Sequence, residues 1–291
     1  MIEELSRICK VETDVDLTKY NTYRLNSFCY ALVHVDSIEK LVSVISKLKE
    51  YKTKWFVLGN GSNVILPEYY DGVIIKLDLN KYIIKSDEIY VEAGCMINKI
   101  AMMLAENGYA GLDFACGIPG TIGGSIYGNA GSYGSSISEV LISAIVLDGK
   151  KIVEYTNEEL KFQYRSSILK ENHKLIVLSA RFIIHKTNKE ELLSIISERA
   201  EKRAASQDLS HPSCGSVFRN PEGMAAGKLI DDLGLKGYSI GGAMVSNIHA
   251  NFIINNGNAT SKDIIKLIRK IKRDVKKAYG IDLVLEQEIV K

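Results

Sequence analysis

Only four prolines and one tryptophan occur in the 291 residues, and the five cysteines (Cys9, Cys29, Cys95, Cys116 and Cys214) are odd in number, scattered, and never spaced as a CxxC pair. This argues against both a disulfide framework and a zinc ribbon, and reduced, mostly buried thiols are expected. His211 and Cys214 have a ligand-like spacing, but no second pair stands near them, so no metal is expected. Also missing are a run of about 18 uninterrupted apolar residues and, in the amino-terminal MIEELSRICKVETD, a basic start followed by an apolar core. A formal net charge of +2 is too near neutral for nucleic acid or an anionic membrane to be the main partner. The chain reads as cytoplasmic, with local basic groups left to bind phosphates on a small molecule.

What is present is an ordinary globular composition, 46% hydrophobic and 25% charged, long enough for two cores. Asp36-Ser-Ile-Glu39 has capping-box spacing, and Ile38, Leu41, Val42, Ile45 and Leu48 recur on one face, which predicts a helix to about Tyr51. Short strands are expected at 54–58, 73–77, 82–85 and 89–92, a helix at 96–107 stopped by Gly108, and strands at 141–147 and 175–185. Near Lys186 the composition changes: 188–206 reads as a charged helix, 260–279 as a second one capped by Thr260 with Asp263 and ended by Gly280, and 283–290 as a final strand. The expected fold class is α+β, with domains at 1–186 and 187–291.

Two glycine loops carry the chemistry. Leu58-Gly-Asn-Gly-Ser-Asn63 follows a strand, and Gly117-Ile-Pro-Gly-Thr-Ile-Gly-Gly124 lies inside a stretch, 111–134, so rich in glycine that no ordinary helix or strand is expected in it. Successive glycine-permitted N–H groups form concave anion sites, and two such loops suit a diphosphate. A dinucleotide fingerprint would need glycine where Val64 stands, and a P-loop would need GK[ST], which neither loop has. Either loop alone is equally a tight turn.

Three further segments are unusual. Tyr164-Arg-Ser-Ser167 sits between strands, Pro212-Ser-Cys-Gly-Ser-Val-Phe-Arg-Asn-Pro221 is a polar turn, and Leu285-Glu-Gln-Glu-Ile289 places two carboxylates on one face of the last strand. Each has a plain alternative: a surface ion pair for Arg165, a turn-forming hydroxyl for Ser216, the solvated face of an edge strand for Glu286 and Glu288.

In order along the chain, these segments, with Asn21-Thr-Tyr-Arg-Leu25, Asn129-Ala-Gly-Ser-Tyr-Gly134, Ala226-Gly-Lys-Leu-Ile-Asp231, Gly234-Leu-Lys-Gly237, Val245-Ser-Asn-Ile-His-Ala-Asn-Phe252 and Asn258-Ala-Thr260, resemble the UDP-N-acetylenolpyruvoylglucosamine reductase family. The resemblance covers nearly the whole chain, and the ordered set is far more specific than any one motif. Length under 300 residues matches the shorter subtype, without the loop whose tyrosine closes over substrate. Two departures stand out: Leu25-Asn-Ser27, where a glycine pair is usual, and Gln207-Asp-Leu209, where proline usually follows the glutamine.

The resemblance implies an FAD-binding domain of the vanillyl-alcohol oxidase/p-cresol methylhydroxylase type and a smaller α+β C-terminal substrate domain, whose last strand returns toward the active site. FAD would take Gly59, Asn60, Gly61, Ser62, Asn63, Gly117, Ile118, Pro119, Gly120, Thr121, Gly123, Gly124, Asn129 and Gly131. NADPH would reduce the flavin and be replaced by UDP-N-acetylglucosamine enolpyruvate, which receives hydride from flavin N5 and becomes UDP-N-acetylmuramate. Arg165 matches the catalytic arginine, Glu288 rather than Glu286 the carboxy-terminal acid, and Ser216 the proton donor; Cys214 is a chemically tempting thiol without that match. Asn220, Lys202 and Arg203 resemble positions that contact the substrate's phosphates. A flavin oxidase of the same superfamily, or a binding module without activity, would have no need of Arg165, Ser216 and Glu288 together.

Overall fold

The computed structural model describes residues 1–291 and divides them into two compact units. Unit 1 comprises 1–12, 31–60 and 72–200; unit 2 comprises 13–30, 61–71 and 201–291. The compositional break near 186 therefore falls inside unit 1, and two segments of the first half belong with the C-terminal unit. At four of its five crossings the chain changes units inside regular elements, the strands Lys10–Asp16, Phe28–Val35 and Tyr69–Leu77 and the helix Lys189–Ser206, where composition gives no linker to read; the fifth falls between Asn60 and Gly61 in the first glycine loop.

Unit 1 is built on a five-stranded antiparallel sheet in the spatial order Lys151–Thr156, Leu141–Asp148, Leu175–Ile183, Glu88–Glu92, Tyr82–Lys85. Ile89, Val91, Ala144, Val146, Ala180 and Phe182 from it pack with Ile97, Ile100, Ala101 and Leu104 of the helix Ile97–Glu106. The helix Ile38–Glu50 buries Leu41, Val44, Ile45 and Leu48 in a second cluster. Its cap is Ser37, one residue later than the capping-box spacing suggests, and the hydroxyl accepts from Lys40 N–H at 3.3 Å.

The glycine-rich stretch departs from expectation: Ile122–Tyr127 is helical, with the Thr121 hydroxyl accepting from Gly124 N–H at 3.2 Å. Two glycines in its first turn cost about 1 kcal/mol each against alanine. Ile122 and Ile126, four apart on one face and fully buried, gain about 1.5–3 kcal/mol each. Burial wins.

Unit 2 has a four-stranded sheet ordered Ser213–Ser216, Phe252–Asn255, Ala243–Val245, Ser239–Ile240, with the helices Ala226–Asp232 and Ser261–Tyr279. Ala243, Val245, Ile253, Ile264, Leu267, Ile271 and Val275 share its core with Tyr23, Leu25 and Ile65. These strands are two to four residues long, too short for alternation to declare them. The final strand expected at 283–290 shrinks to Glu288–Ile289, paired parallel with Val64–Ile65. The segment changes partner on the way: Glu286 N–H donates to the Val217 carbonyl at 2.8 Å and Glu288 N–H to the Asn63 carbonyl at 2.9 Å. None of the five cysteines is in a disulfide, and no helix is long and apolar enough to cross a membrane.

Candidate active site

In unit 1, Gly59 and Asn60 follow the strand Trp55–Val57, and Asn60 Nδ2 donates to the Pro119 carbonyl at 2.8 Å, laying the first glycine loop against the second. The Lys76 ammonium, pulled below the ordinary lysine range by burial, donates to the Gly59 carbonyl. The N–H groups of Gly59, Asn60, Gly117 and Thr121 take no carbonyl partner in the chain and remain available to an anion. Ile118, Gly120, Gly123 and Gly124 instead spend theirs on Ala115, Ile118, Ala93 and the Thr121 hydroxyl. Only part of the predicted set can therefore offer amides outward.

Gly61 and Asn63 lie in unit 2 and serve the chain's own packing. A Cβ on Gly61, at φ +66°, would stand 2.1 Å from the Tyr20 carbonyl oxygen. The backbone alone requires glycine there. Ser62 is half-buried beside it. Asn63 Nδ2 donates to the Glu286 carbonyl at 3.2 Å, while its own carbonyl takes Glu288 N–H, so Asn63 fixes the segment that carries both glutamates.

Arg165 stands in the left-handed region at φ +56°, which costs about 1–2 kcal/mol for a side chain of this size. Three contacts hold it: Nη2 donates to the Gly131 carbonyl at 2.6 Å, Nη1 to the Asn129 carbonyl at 3.4 Å, and Lys170 Nζ donates to the Arg165 carbonyl at 3.0 Å. A Cβ on Gly131 would come within 3.0 Å of Arg165 Nη1 and 2.5 Å of the Ser135 carbonyl oxygen. Asn129 is buried, with its amide donating to the Gln163 carbonyl at 3.0 Å and its Oδ1 accepting from Ser138 N–H at 3.0 Å. Asn129 and Gly131, expected beside the cofactor, are thus the cradle of the guanidinium.

In unit 2, Ser216 and Asn220 line a cavity of about 310 Å³ together with Lys228, Lys236, His249 and Asn251. Asn220 Oδ1 accepts from Ala226 N–H at 3.0 Å, capping the helix Ala226–Asp232. Lys202 and Arg203, on the helix Lys189–Ser206, are not among the lining residues; the cavity's cations are Lys228 and Lys236. Those two and His249 lie in segments whose resemblance is evident, but nothing in their spacing singles them out. Gln287 is buried and ties the last segment to the Ser216 strand: Nε2 donates to the Cys214 carbonyl at 3.2 Å, and Tyr23 OH donates to Oε1 at 3.0 Å. Burial pushes the Cys214 thiol up to about 11, and its sulfur faces Thr22 Oγ1 at 3.1 Å and the Gly61 carbonyl at 3.4 Å. A thiol so placed is a packing group, absent from the cavity lining.

Residues 207–290 match the family model described as UDP-N-acetylenolpyruvoylglucosamine reductase, C-terminal domain, and residues 30–153 the model described as FAD binding domain. Among curated relatives, UDP-N-acetylenolpyruvoylglucosamine reductase of Caldanaerobacter subterraneus is 39% identical over 99% of this chain and 96% of its own length, and that of Bacillus subtilis 36% identical over 100% and 98%. Among solved structures, UDP-N-acetylenolpyruvylglucosamine reductase from Thermus caldophilus superimposes with a TM-score of 0.84 at 32% identity, covering 97% of this chain and 100% of that one. The glucose dehydrogenase Phl p 4.0202 shares the fold of a part, with a TM-score of 0.52 at 10% identity over 64% of this chain and 44% of its own.

Proposed function

The chain belongs to the UDP-N-acetylenolpyruvoylglucosamine reductase family, an FAD-dependent oxidoreductase family of peptidoglycan precursor synthesis, and from that premise we propose that it reduces UDP-N-acetylglucosamine enolpyruvate to UDP-N-acetylmuramate at the expense of NADPH. The observation that carries the reading is the place of Ser216: half-buried, in the lining of a cavity that also holds two lysines and Asn220. Unit 1 is read as the FAD-binding part and unit 2 as the substrate-binding part, with a cytoplasmic site of action.

The residues present fit FAD. The outward amides of Gly59, Asn60, Gly117 and Thr121 suit the oxygens of a diphosphate, with Asn60 bonded to the second loop so that both are held in one arrangement. When bound, FAD supplies the hydride, delivered from flavin N5 after reduction by NADPH. The protein's own part is to manage charge and a proton. Hydride addition to an enol ether pushes charge onto the neighbouring carboxylate, and a planar fork such as Arg165 can meet that charge bidentately. The strained backbone, held at its carbonyl by Lys170, and the guanidinium's own bonds to the Gly131 and Asn129 carbonyls keep the fork in place before substrate arrives. Glu288 assists as an acid at the developing enediolate, and Ser216 gives the proton to the adjacent carbon. A hydroxyl is a weak acid, but the carbanion is a strong base, so placement decides more than acidity.

The purified protein is expected to be yellow, to bleach with NADPH, and to regain colour with the enolpyruvyl nucleotide as UDP-N-acetylmuramate forms. A colourless protein without turnover sinks the reading. In Ser216→Ala, bleaching by NADPH should persist while recolouring by the enolpyruvyl nucleotide slows by about 10²–10⁴-fold. Equal loss in both halves would remove Ser216 from proton transfer.

A further inference from the structure

Asp208 is 4% exposed and lies in unit 2. Its Oδ2 accepts from Ser246 Oγ at 3.0 Å, and its Oδ1 accepts from Ser210 Oγ at 2.9 Å and from His211 Nδ1 at 2.9 Å. Burial raises the carboxyl, but the hydrogen bonds from His211, Ser210 and Ser246 outweigh it and hold the group below the ordinary aspartate range. A serine hydroxyl has one proton. Because that of Ser246 goes to a carboxylate that can only accept, the oxygen's lone pairs are left for Ile248 N–H at 3.1 Å and His249 N–H at 3.3 Å. Ser246 is fully buried, so no solvent competes for that oxygen. Backbone bonds from Ser246 N–H to the Phe252 carbonyl and from Phe252 N–H to the His249 carbonyl, both 2.9 Å, close the turn.

The consequence falls on the His249 ring. Nδ1 accepts from Asn251 N–H at 3.2 Å, and the ring tilts on Phe252 with centroids 4.5 Å apart. An accepting Nδ1 puts the proton of a neutral ring on Nε2. Burial, the largest influence, and the charge of Lys236 draw the imidazole below its ordinary range, which favours the neutral ring that an accepting Nδ1 requires. His249 lines the cavity with Ser216.

We propose that Asp208 and Ser246 are positioning residues: the carboxylate sets the direction of the Ser246 hydroxyl, the hydroxyl sets the turn, and the turn presents His249 to the Ser216 cavity as a neutral Nε2–H donor. The device deepens, and for its kinetic consequence rests on, the reading of that cavity as the substrate site. Lys228 and Lys236 bring full charges to the same cavity, each with an aspartate partner, at 3.0 Å to Asp232 and 2.7 Å to Asp231. His249 adds a directional donor instead.

The test is nitrogen-15 NMR of the imidazoles in the whole protein at pH 7, with the five histidines assigned by single substitutions. Wild type should show His249 as one Nε2–H tautomer. Ser246→Ala and Asp208→Ala should give mixed tautomers, and Ser246→Thr should restore the single form. In steady state, Ser246→Ala should raise KM for the enolpyruvyl nucleotide about tenfold, the loss of one hydrogen bond to a charged group, with the spectrum of bound flavin unchanged. A wild-type His249 that is mixed or protonated on Nδ1 overturns the proposal without any variant. So does a Ser246→Ala protein that keeps both the single tautomer and the wild-type KM. The NMR arm needs no substrate, so a protein without turnover would refute the enzymatic reading alone.

Discussion

At the scale of single residues, the placement of the Arg165 guanidinium depends on a glycine 34 positions away. Gly131 has no room for a methyl group, because the added carbon would press on the Ser135 carbonyl, Ser136 Cβ at 2.9 Å and the Arg165 guanidinium together. Gly131→Ala is expected to destabilise unit 1 by about 1–3 kcal/mol, as overpacking does, and to slow oxidation of the reduced protein by the enolpyruvyl nucleotide while FAD content stays full. Stopped-flow absorbance and denaturant unfolding measure the two effects. A variant that oxidises at the wild-type rate would show that Arg165 does not depend on this cradle. The arginine itself was legible in the sequence from the Tyr164-Arg-Ser-Ser167 segment. Its left-handed backbone was not, since no local signal forces an arginine to positive φ; the bonds to Gly131, Asn129 and Lys170 do. His249 and Asp208 carry no motif of their own: Ser246, 38 residues from Asp208, links the two, and only the folded turn brings Asn251 N–H to the His249 ring.

At the scale of elements, local chemistry predicted best where it was self-contained. The helix Ser261–Tyr279 begins on a capping box with both halves formed, Thr260 Oγ1 accepting from Asp263 N–H at 3.1 Å and Asp263 Oδ2 accepting from Thr260 N–H at 3.0 Å, and it ends on Gly280 at φ +73°. Burial raises the Asp263 carboxyl, and the bonds to Thr260 and Gly242 more than reverse this, leaving it below the ordinary value. A carboxylate depressed in the folded state stabilises above its unfolded pKa of about 3.9 and loses that contribution as pH falls through the lower folded value. Wild type should therefore lose more stability than Asp263→Asn between about pH 5 and pH 2, which thermal unfolding followed by circular dichroism across that range measures. Parallel pH curves would show that the box owes nothing to ionisation. The short strands of unit 2 and the helix Ile122–Tyr127 were the opposite case, elements whose existence follows from what they bury rather than from period or propensity.

At the scale of the whole molecule, the interleaving of the units decides what can be separated. A cut after residue 186, where composition changes, removes the helix Lys189–Ser206, whose Leu192 and Ile196 pack with Ala105 and Ala110 of unit 1. It also strands Tyr23, Leu25 and Ile65, which are buried only because the unit 2 core of Ile253, Ile264, Leu267 and Ile271 surrounds them. Leaving three such side chains in water forfeits about 1.5–3 kcal/mol each, against a total stability of about 5–15 kcal/mol for a domain. A fragment of residues 1–186 should therefore fail to unfold cooperatively and should bind hydrophobic dye, although it contains every residue expected at the FAD diphosphate. A fragment of residues 187–291 should fare no better, because it lacks the strand Val64–Ile65 that pairs with Glu288–Ile289 and the Tyr23 hydroxyl that donates to Gln287. Mixing the two fragments should recover cooperative unfolding if the lost core contacts are the cause. A 1–186 fragment that melts cooperatively on its own would mean that the segments 13–30 and 61–71 are passengers of unit 2 rather than part of its core.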